Sequence, residues 1–248
     1  MHTETLQCIV LSTMDYGDSD RIASLFSLEH GKIKGFARSA RKSRKRFGAA
    51  LESFARIDVQ VRLKEGLCSL QQAGIRNIYP QIRSNLDCIA LALYACELTD
   101  AITPEGVPLP RLFRLFSAYL DRMDSTGASE QDRRFFEINL LNILGYRPTL
   151  EECASCGTIF GNSGAVMAAC GQLSCRNCRD SGAVISHAAL RFLQGCLRTG
   201  TFGLLAADAE SLSQAGSLLD AAIAHHTGRQ MKSADFLRQL SDHGNIRT

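Results

Sequence analysis

The chain has 248 residues, 45% of them hydrophobic, and a formal net charge of +3. That is an ordinary globular composition, with room for a buried core and two modest domains. Its longest apolar run, Cys88 to Cys96, falls far short of the ~20 residues that a membrane-spanning helix needs.

The opening, MHTETLQCIVLST, has neither a charged n-region nor a long apolar h-region, so a cytosolic protein with reduced thiols is expected. Cys8, Cys68, Cys88, Cys96 and Cys196 then read as small buried apolar residues. The charge is uneven. Residues 1–80 hold thirteen Lys or Arg against eight Asp or Glu, while the remainder holds fifteen against seventeen. A basic front end on a near-neutral body points to a polyanionic partner met by one face.

The first eighty residues read as strands. Leu6 to Leu11 is a β-rich run, ended by the turn-forming Asp15-Tyr16-Gly17-Asp18. Arg21 to Ser27 and Lys32 to Arg38 flank Glu29-His30-Gly31 and suggest a hairpin. From Ile57 to Lys64 apolar and polar residues alternate strictly, and Glu65-Gly66 turns the chain into a last strand, Leu67 to Ile75. Five short strands fit a small closed barrel. The OB-fold is the commonest five-stranded choice, with an SH3-like barrel as the rival. Asp15, Asp18 and Asp20 could suggest a metal-dependent nuclease, but turn and cap residues are the simpler reading.

Between His30 and Leu51 there is no acidic residue, and Lys32, Lys34, Arg38, Arg41, Lys42, Arg44, Lys45 and Arg46 crowd into one segment. By alternation Lys32, Lys34, Phe36 and Arg38 share a strand face, opposite Ile33 and Ala37. Cations that track phosphates, with an aromatic between them for base stacking, are what a single-strand-binding barrel face requires. Phe47 is a second candidate stacker. Two plainer readings compete: a solvated basic loop, and a bulge at Gly35 that turns Phe36 into the core.

After Pro80 the pattern turns helical. Ser84-x-x-Asp87 opens a helix to about Asp100, with Leu86, Ile89, Leu93 and Cys96 as its apolar face. Pro110 starts a second, with Leu112, Phe113, Phe116, Leu120 and Met123 inward. Ser129-x-x-Asp132 caps a third, which Gly145 stops. Arg133 and Arg134 beside Phe135 and Phe136 suggest a basic, aromatic surface for an acidic, apolar-tipped tail, against the alternative that the phenylalanines are core. Helices return after Ser186, from about Ser211 to His226, and from Ser233 to Leu240. His225 and His226 sit where a partial positive charge suits the helix dipole.

Between the third and fourth helices lie CASCG and SCRNC. Cys153 and Cys156 form one C-x-x-C pair, Cys175 and Cys178 a second, eighteen residues apart. That spacing fits a four-thiolate zinc site, two tight turns aiming four sulfurs at one point. A thioredoxin-like redox pair would need a βαβ context that is missing, and disulfides need an oxidising compartment. Cys170 is a spare thiol. A site with four protein ligands leaves no place for water, so one structural Zn²⁺ is expected, supplying folding free energy to a loop too short for a core. Arg176 and Arg179 temper the local negative charge. The expected fold class is α+β: a five-stranded OB-fold over 1–80, then a helical domain over 81–248 with a zinc ribbon at about 150–182.

No P-loop, G-x-S-x-G or H-E-x-x-H motif occurs. The expectation is a binding protein, not an enzyme, with no small-molecule substrate and no membrane.

Over nearly its full length the chain resembles the bacterial RecO family of recombinational repair proteins. The resemblance is carried by VLSTMDYGDSDRIASLFSLEHGKI, LLNILGYRPTLEECASCG, CRNC and GRQMKSADFLRQL. It implies an N-terminal OB-fold, a helical domain and an inserted four-cysteine zinc ribbon with Cys153, Cys156, Cys175 and Cys178 as ligands. It also implies binding of single- and double-stranded DNA, strand annealing, and work with RecR to load RecA on strands coated by single-strand-binding protein (SSB), at the bacterial nucleoid. One departure is Ser39, where family members often have glycine soon after the third strand. Two other classes stay open: a zinc-ribbon accessory factor without annealing activity, and a protein–protein adaptor.

Overall fold

A strand with one apolar face must cover that face, and five such strands do so here by closing on themselves. In the computed structural model, which describes residues 3–43, 45–64, 66–228 and 231–242, the strands are β1 (Thr3–Tyr16), β2 (Asp20–Ser27), β3 (Gly31–Ala37), β4 (Arg56–Arg62) and β5 (Cys68–Asn77). They form a closed barrel in the order β1-β2-β3-β5-β4. Neighbours are antiparallel except β3 with β5. This is the OB-fold arrangement, and the SH3-like alternative drops out.

The barrel interior is filled from every strand by residues such as Leu6, Leu25, Ile33, Val59 and Leu70, and from the β3–β4 connection by Ala40, Phe47, Ala50 and Leu51. Phe47 is therefore a core residue, 3% exposed, and not a surface stacker. A connection rich in cations is tied down by its apolar members.

One strand boundary moves. β1 continues well past Leu11, because a register irregularity between Val10 and Ser12 bends it round the barrel and lets it resume pairing. The turn follows at Gly17, whose φ of +59° suits a residue without Cβ. No bulge occurs at Gly35. β3 pairs with β2 in unbroken register, and Gly35 points inward, where a Cβ would lie 2.3 Å from Leu70 Cδ2.

The helices are α1 (Pro80–Arg83), α2 (Leu86–Ile102), α3 (Pro110–Thr126), α4 (Glu130–Leu144), α5 (His187–Thr199), α6 (Ala209–Thr227) and α7 (Lys232–Asp242), with short strands β6 (Ala165–Met167), β7 (Leu173–Ser174) and β8 (Ala183–Ile185) between α4 and α5. Ser84 is not the cap of α2. Asn85 is, its side chain accepting from Cys88 N–H at 3.0 Å, while Ser84 closes the extra turn α1. Ser129 and Ser186 do cap α4 and α5. The apolar face expected on α2 is also corrected. Leu86 and Leu93 are exposed, while Cys88, Leu91, Ala95 and Leu98 are buried. The helix is apolar nearly all round, so periodicity cannot choose its inward side.

By compactness the chain forms two units: residues 3–127 with 231–242, and residues 128–228. In the first, the helices pack with the barrel. Cys96 Sγ–H points to Val10 O at 3.6 Å, and Ser24 Oγ–H donates to Asp100 at 2.7 Å. Glu97 accepts from Lys232 N–H and Ser233 N–H, capping α7 from a distant part of the chain. In the second unit, α4, α5 and α6 enclose a core including Phe136, Leu193 and Leu218, and β7-β6-β8 form a small sheet.

Candidate nucleic-acid interface and metal centre

The outward face of β3 carries Lys34 and Phe36, continued by Arg38 just past its end. Lys34 and Arg38 are exposed and Phe36 is half-buried, with Ile33 and Ala37 inside. Phe36 pairs across the sheet with Ile22, and Ile22 with Met14. The three side chains thus form one outward row. Tyr16 completes it, its ring set edge-on to Phe36 at 5.8 Å. Met14 and Tyr16 are 59% and 55% exposed. Neither was singled out from the sequence. Their signal was the length of β1, hidden by the irregularity inside it.

The cations divide by what holds them. Lys32 is buried, donating from Nζ to Asp100 O at the end of α2, and so leaves the exposed set in which alternation had placed it. Tertiary packing against α2 covers this end of the strand. Lys34 pairs with Glu105 at 2.5 Å. That contact raises the lysine pKa and lowers the carboxyl's, the hydrogen bond being the larger cause in each case. Arg41 lies 3.6 Å from Asp15, which also takes Arg21 at 2.9 Å. Arg46 is half-buried. It donates to Arg38 O (2.7 Å) and Ser43 Oγ (3.1 Å) and lies over the Phe47 ring, so it braces the loop. Arg38, Lys42 and Lys45 are exposed and form no ion pair among the described residues. Arg44 lies outside the described residues.

The loop's path has a local cause. Ser39 adopts φ +54°, a left-handed conformation that glycine takes without strain. Its N–H donates to Asp20 Oδ1 at 2.6 Å. Asp15 and Asp20 are thus spoken for as turn and loop anchors.

In the second unit the backbone makes two sulfur-bearing turns. Gly157 N–H donates to Cys153 O at 2.9 Å, with Gly157 at φ +72°. Cys178 N–H donates to Cys175 O at 3.0 Å, and Ala154 N–H reaches across to Leu173 O at 2.9 Å. The ligand atoms of Cys153, Cys156, Cys175 and Cys178 lie within 4.8 Å of one another, and Cys156 Sγ is 3.7 Å from Cys175 Sγ. A thiolate tetrahedron with metal–sulfur bonds of about 2.3 Å has edges of about 3.8 Å, so these residues can hold a metal ion.

Electrostatics agree. The Cys153 thiol is held down to about 6, first by a backbone hydrogen bond from Cys175. Cys156 is lowered, chiefly by the Thr158 hydroxyl. Cys178 is pushed up to about 12 by hydrogen bonds to the sulfurs of Cys156 and Cys175. Four thiolates this close cannot all ionise unless a cation compensates them. Cys170 is not in the cluster. The other cysteines, Cys8, Cys68, Cys88, Cys96 and Cys196, are buried, and desolvation raises Cys96 and Cys196 to about 12.

The expected tail-binding surface on α4 is not there. Arg133, Arg134, Phe135 and Phe136 are all buried. The arginines converge on Glu137, itself 0% exposed, at 2.9 and 2.8 Å, with Glu130 and Asp220 alongside. A Cβ at Gly216 would lie 2.5 Å from Arg134 Nη2, so α6 is shaped to admit this network.

An OB-fold barrel with a cationic, aromatic outer row, joined to a helical region that carries a four-cysteine insertion, defines a class of nucleic-acid-processing protein. The comparisons make the family specific. Residues 1–79 match "Recombination protein O N terminal" and residues 83–235 match "Recombination protein O C terminal". The chain is 60% identical over 243 residues to the DNA repair protein RecO of Pelobacter propionicus, covering 98% of this chain and 99% of that one. The RecO proteins of Geobacter sulfurreducens (50%; 97% and 100% covered) and Myxococcus xanthus (37%; 94% and 96%) are similar along the same length. The chain belongs to the RecO family of DNA repair proteins.

Proposed function

We propose that the protein is a recombination mediator that binds DNA through the outer face of its barrel and turns over nothing covalent. The observation that carries this reading is the continuity of Lys34 and Phe36 on β3, and Arg38 just past its end, with Arg41, Lys42 and Lys45 in the next loop, on a fold whose outer strands suit single strands; Arg44 joins the set by its place in the sequence alone. Lys32 and Arg46 support that surface from below. Residues 1–80 act as the nucleic-acid-binding domain, and Phe36 with Tyr16 offers rings to unstacked bases.

In this reading the protein binds single- and double-stranded DNA, anneals complementary strands, and works with RecR to load RecA on SSB-coated strands. The four cysteines hold one Zn²⁺, which soft thiolate ligands in a closed tetrahedral set favour and which plays a structural part. Among the described residues no helix is long and apolar enough to cross a membrane; a cytoplasmic, nucleoid-associated protein fits the role.

Fluorescence anisotropy with a labelled single strand, followed by annealing of complementary oligonucleotides with and without SSB, tests the proposal. Binding together with annealing is expected. Binding without annealing would instead indicate an accessory factor, and no binding would indicate an adaptor.

A further inference from the structure

The second unit contains a cavity of about 310 Å³, near the lower end of the ~300–1,000 Å³ typical of small-molecule sites. It lies where three pieces of backbone meet. Tyr146 and Arg147 follow the end of α4, His225 and His226 occupy the last turn of α6, and Cys170 and Gln172 come from the four-cysteine insertion. The insertion sits tightly here: a Cβ at Gly171 would lie 3.1 Å from Ala222 of α6.

The mouth of the cavity has an aromatic floor. Tyr146 and His226 are stacked face to face, their centroids 4.3 Å apart and their planes 12° from parallel, with His225 edge-on at 5.0 Å. All three side chains are exposed. Tyr146 is fixed from behind, its N–H donating to Leu141 O at 2.8 Å.

The chemistry of the lining selects the ligand. No carboxylate lines the cavity, and its ionisable groups are the Tyr146 phenol, Arg147, Cys170 and the two imidazoles. Arg147 is steadied by Glu151 at 3.1 Å. The C-terminal ends of α4 and α6 both border the space, and the negative ends of their dipoles suit a ring that carries N–H donors better than a bare anion. Partial desolvation, then the neighbouring His225, pushes the His226 pKa down, which favours the neutral ring. A metal is not favoured, since the only metal-competent cluster among the described residues is the four-cysteine one.

We propose that this cavity is a base-stacking site for single-stranded DNA, in which one unstacked nucleobase lies on the Tyr146–His226 platform with its flanking phosphate near Arg147. The inference rests on the reading of the chain as a DNA-binding protein, and gives the second unit a nucleic-acid contact of its own.

The test uses the full-length, metal-loaded chain and a single strand carrying 5-iodouracil. After near-ultraviolet irradiation, peptide mapping should place an adduct at Tyr146 or His226. Tyr146→Ala/His226→Ala should bind the same strand about 5- to 150-fold more weakly, the range for one lost base–aromatic stack. Metal content and thermal midpoint, measured in parallel, should stay at wild-type values. Tyr146→Phe, which keeps the ring, should bind normally. If the wild-type chain binds the strand but no adduct maps to either residue, the site is overturned and the barrel reading stands. Should the double variant prove unstable, the wild-type adduct map still decides. Failure of the wild-type chain to bind any strand removes the DNA-binding reading itself, and this site with it.

Discussion

Lys34 and Glu105 show how a single residue can be both paired and available. Their side chains are 52% and 54% exposed, and ion pairs in that setting are worth little net free energy because solvent competes for both partners. An incoming phosphate can therefore replace the carboxylate. Glu105→Gln should raise affinity for single-stranded DNA at low salt, and Lys34→Ala should flatten the dependence of log K on log salt by about 0.7, the increment for one phosphate contact. An unchanged slope in an anisotropy titration would show that Lys34 touches no phosphate. Phe36 makes the complementary case. Alternation along β3 places it outward, the rival bulge turns on Gly35, and the unbroken β2–β3 register together with the Leu70 side chain beside that glycine decides between them. Gly35→Val should accordingly overpack the barrel and cost about 1–3 kcal/mol, read as a lower thermal midpoint. Phe36→Ala should instead cost about 1–3 kcal/mol of DNA affinity, with the salt slope unchanged. If the two variants exchange these phenotypes, the register is wrong.

Elements differ in how much of them the sequence discloses. The two C-x-x-C turns are local geometry and can be read directly. β6, β7 and β8 are only two or three residues each and leave no periodic trace. Cys156→Ser should lose the bound metal and lower the unfolding temperature of the full chain, because ligand binding and folding of this insertion are one process. Cys170→Ser should keep the metal; retention by Cys156→Ser and loss by Cys170→Ser in metal analysis would reverse the ligand assignment. On α4 the core alternative holds for Phe135 and Phe136, and it is the burial of Arg133 and Arg134 that the sequence does not disclose. Two adjacent arginines look like surface in a sequence, since the partner that makes their burial tolerable, Glu137, is itself fully hidden. Removing it would leave two buried cations with only Glu130 and Asp220 to pair them, so Glu137→Ala should cost about 3–5 kcal/mol, measurable by denaturant melts. α2 hides its orientation for the opposite reason, being apolar on too many sides.

At the scale of the whole molecule, the basic segment of the sequence overstates the number of cations free to meet a phosphate. Its cations are contiguous in the chain but not equivalent in space. Lys32 is consumed by the α2 carbonyl end, and Arg46 by the loop it braces. Among the described residues that leaves Lys34, Arg38, Arg41, Lys42 and Lys45, with Arg41 only loosely held by Asp15 at 3.6 Å. If each meets one phosphate, log K for single-stranded DNA should fall against log salt with a slope near −3.5, at about −0.7 per contact. Arg41→Ala/Lys42→Ala/Lys45→Ala should flatten that slope by about 2, with little dependence on base sequence. Lys32→Ala must behave differently, because its ammonium meets Asp100 O and not solvent. It should lower the thermal midpoint while leaving the slope at the wild-type value. Salt titrations and melts on these two variants therefore separate cations that hold DNA from cations that hold the barrel. A flattened slope in Lys32→Ala, or a wild-type slope in the triple variant, would move the DNA path off this face.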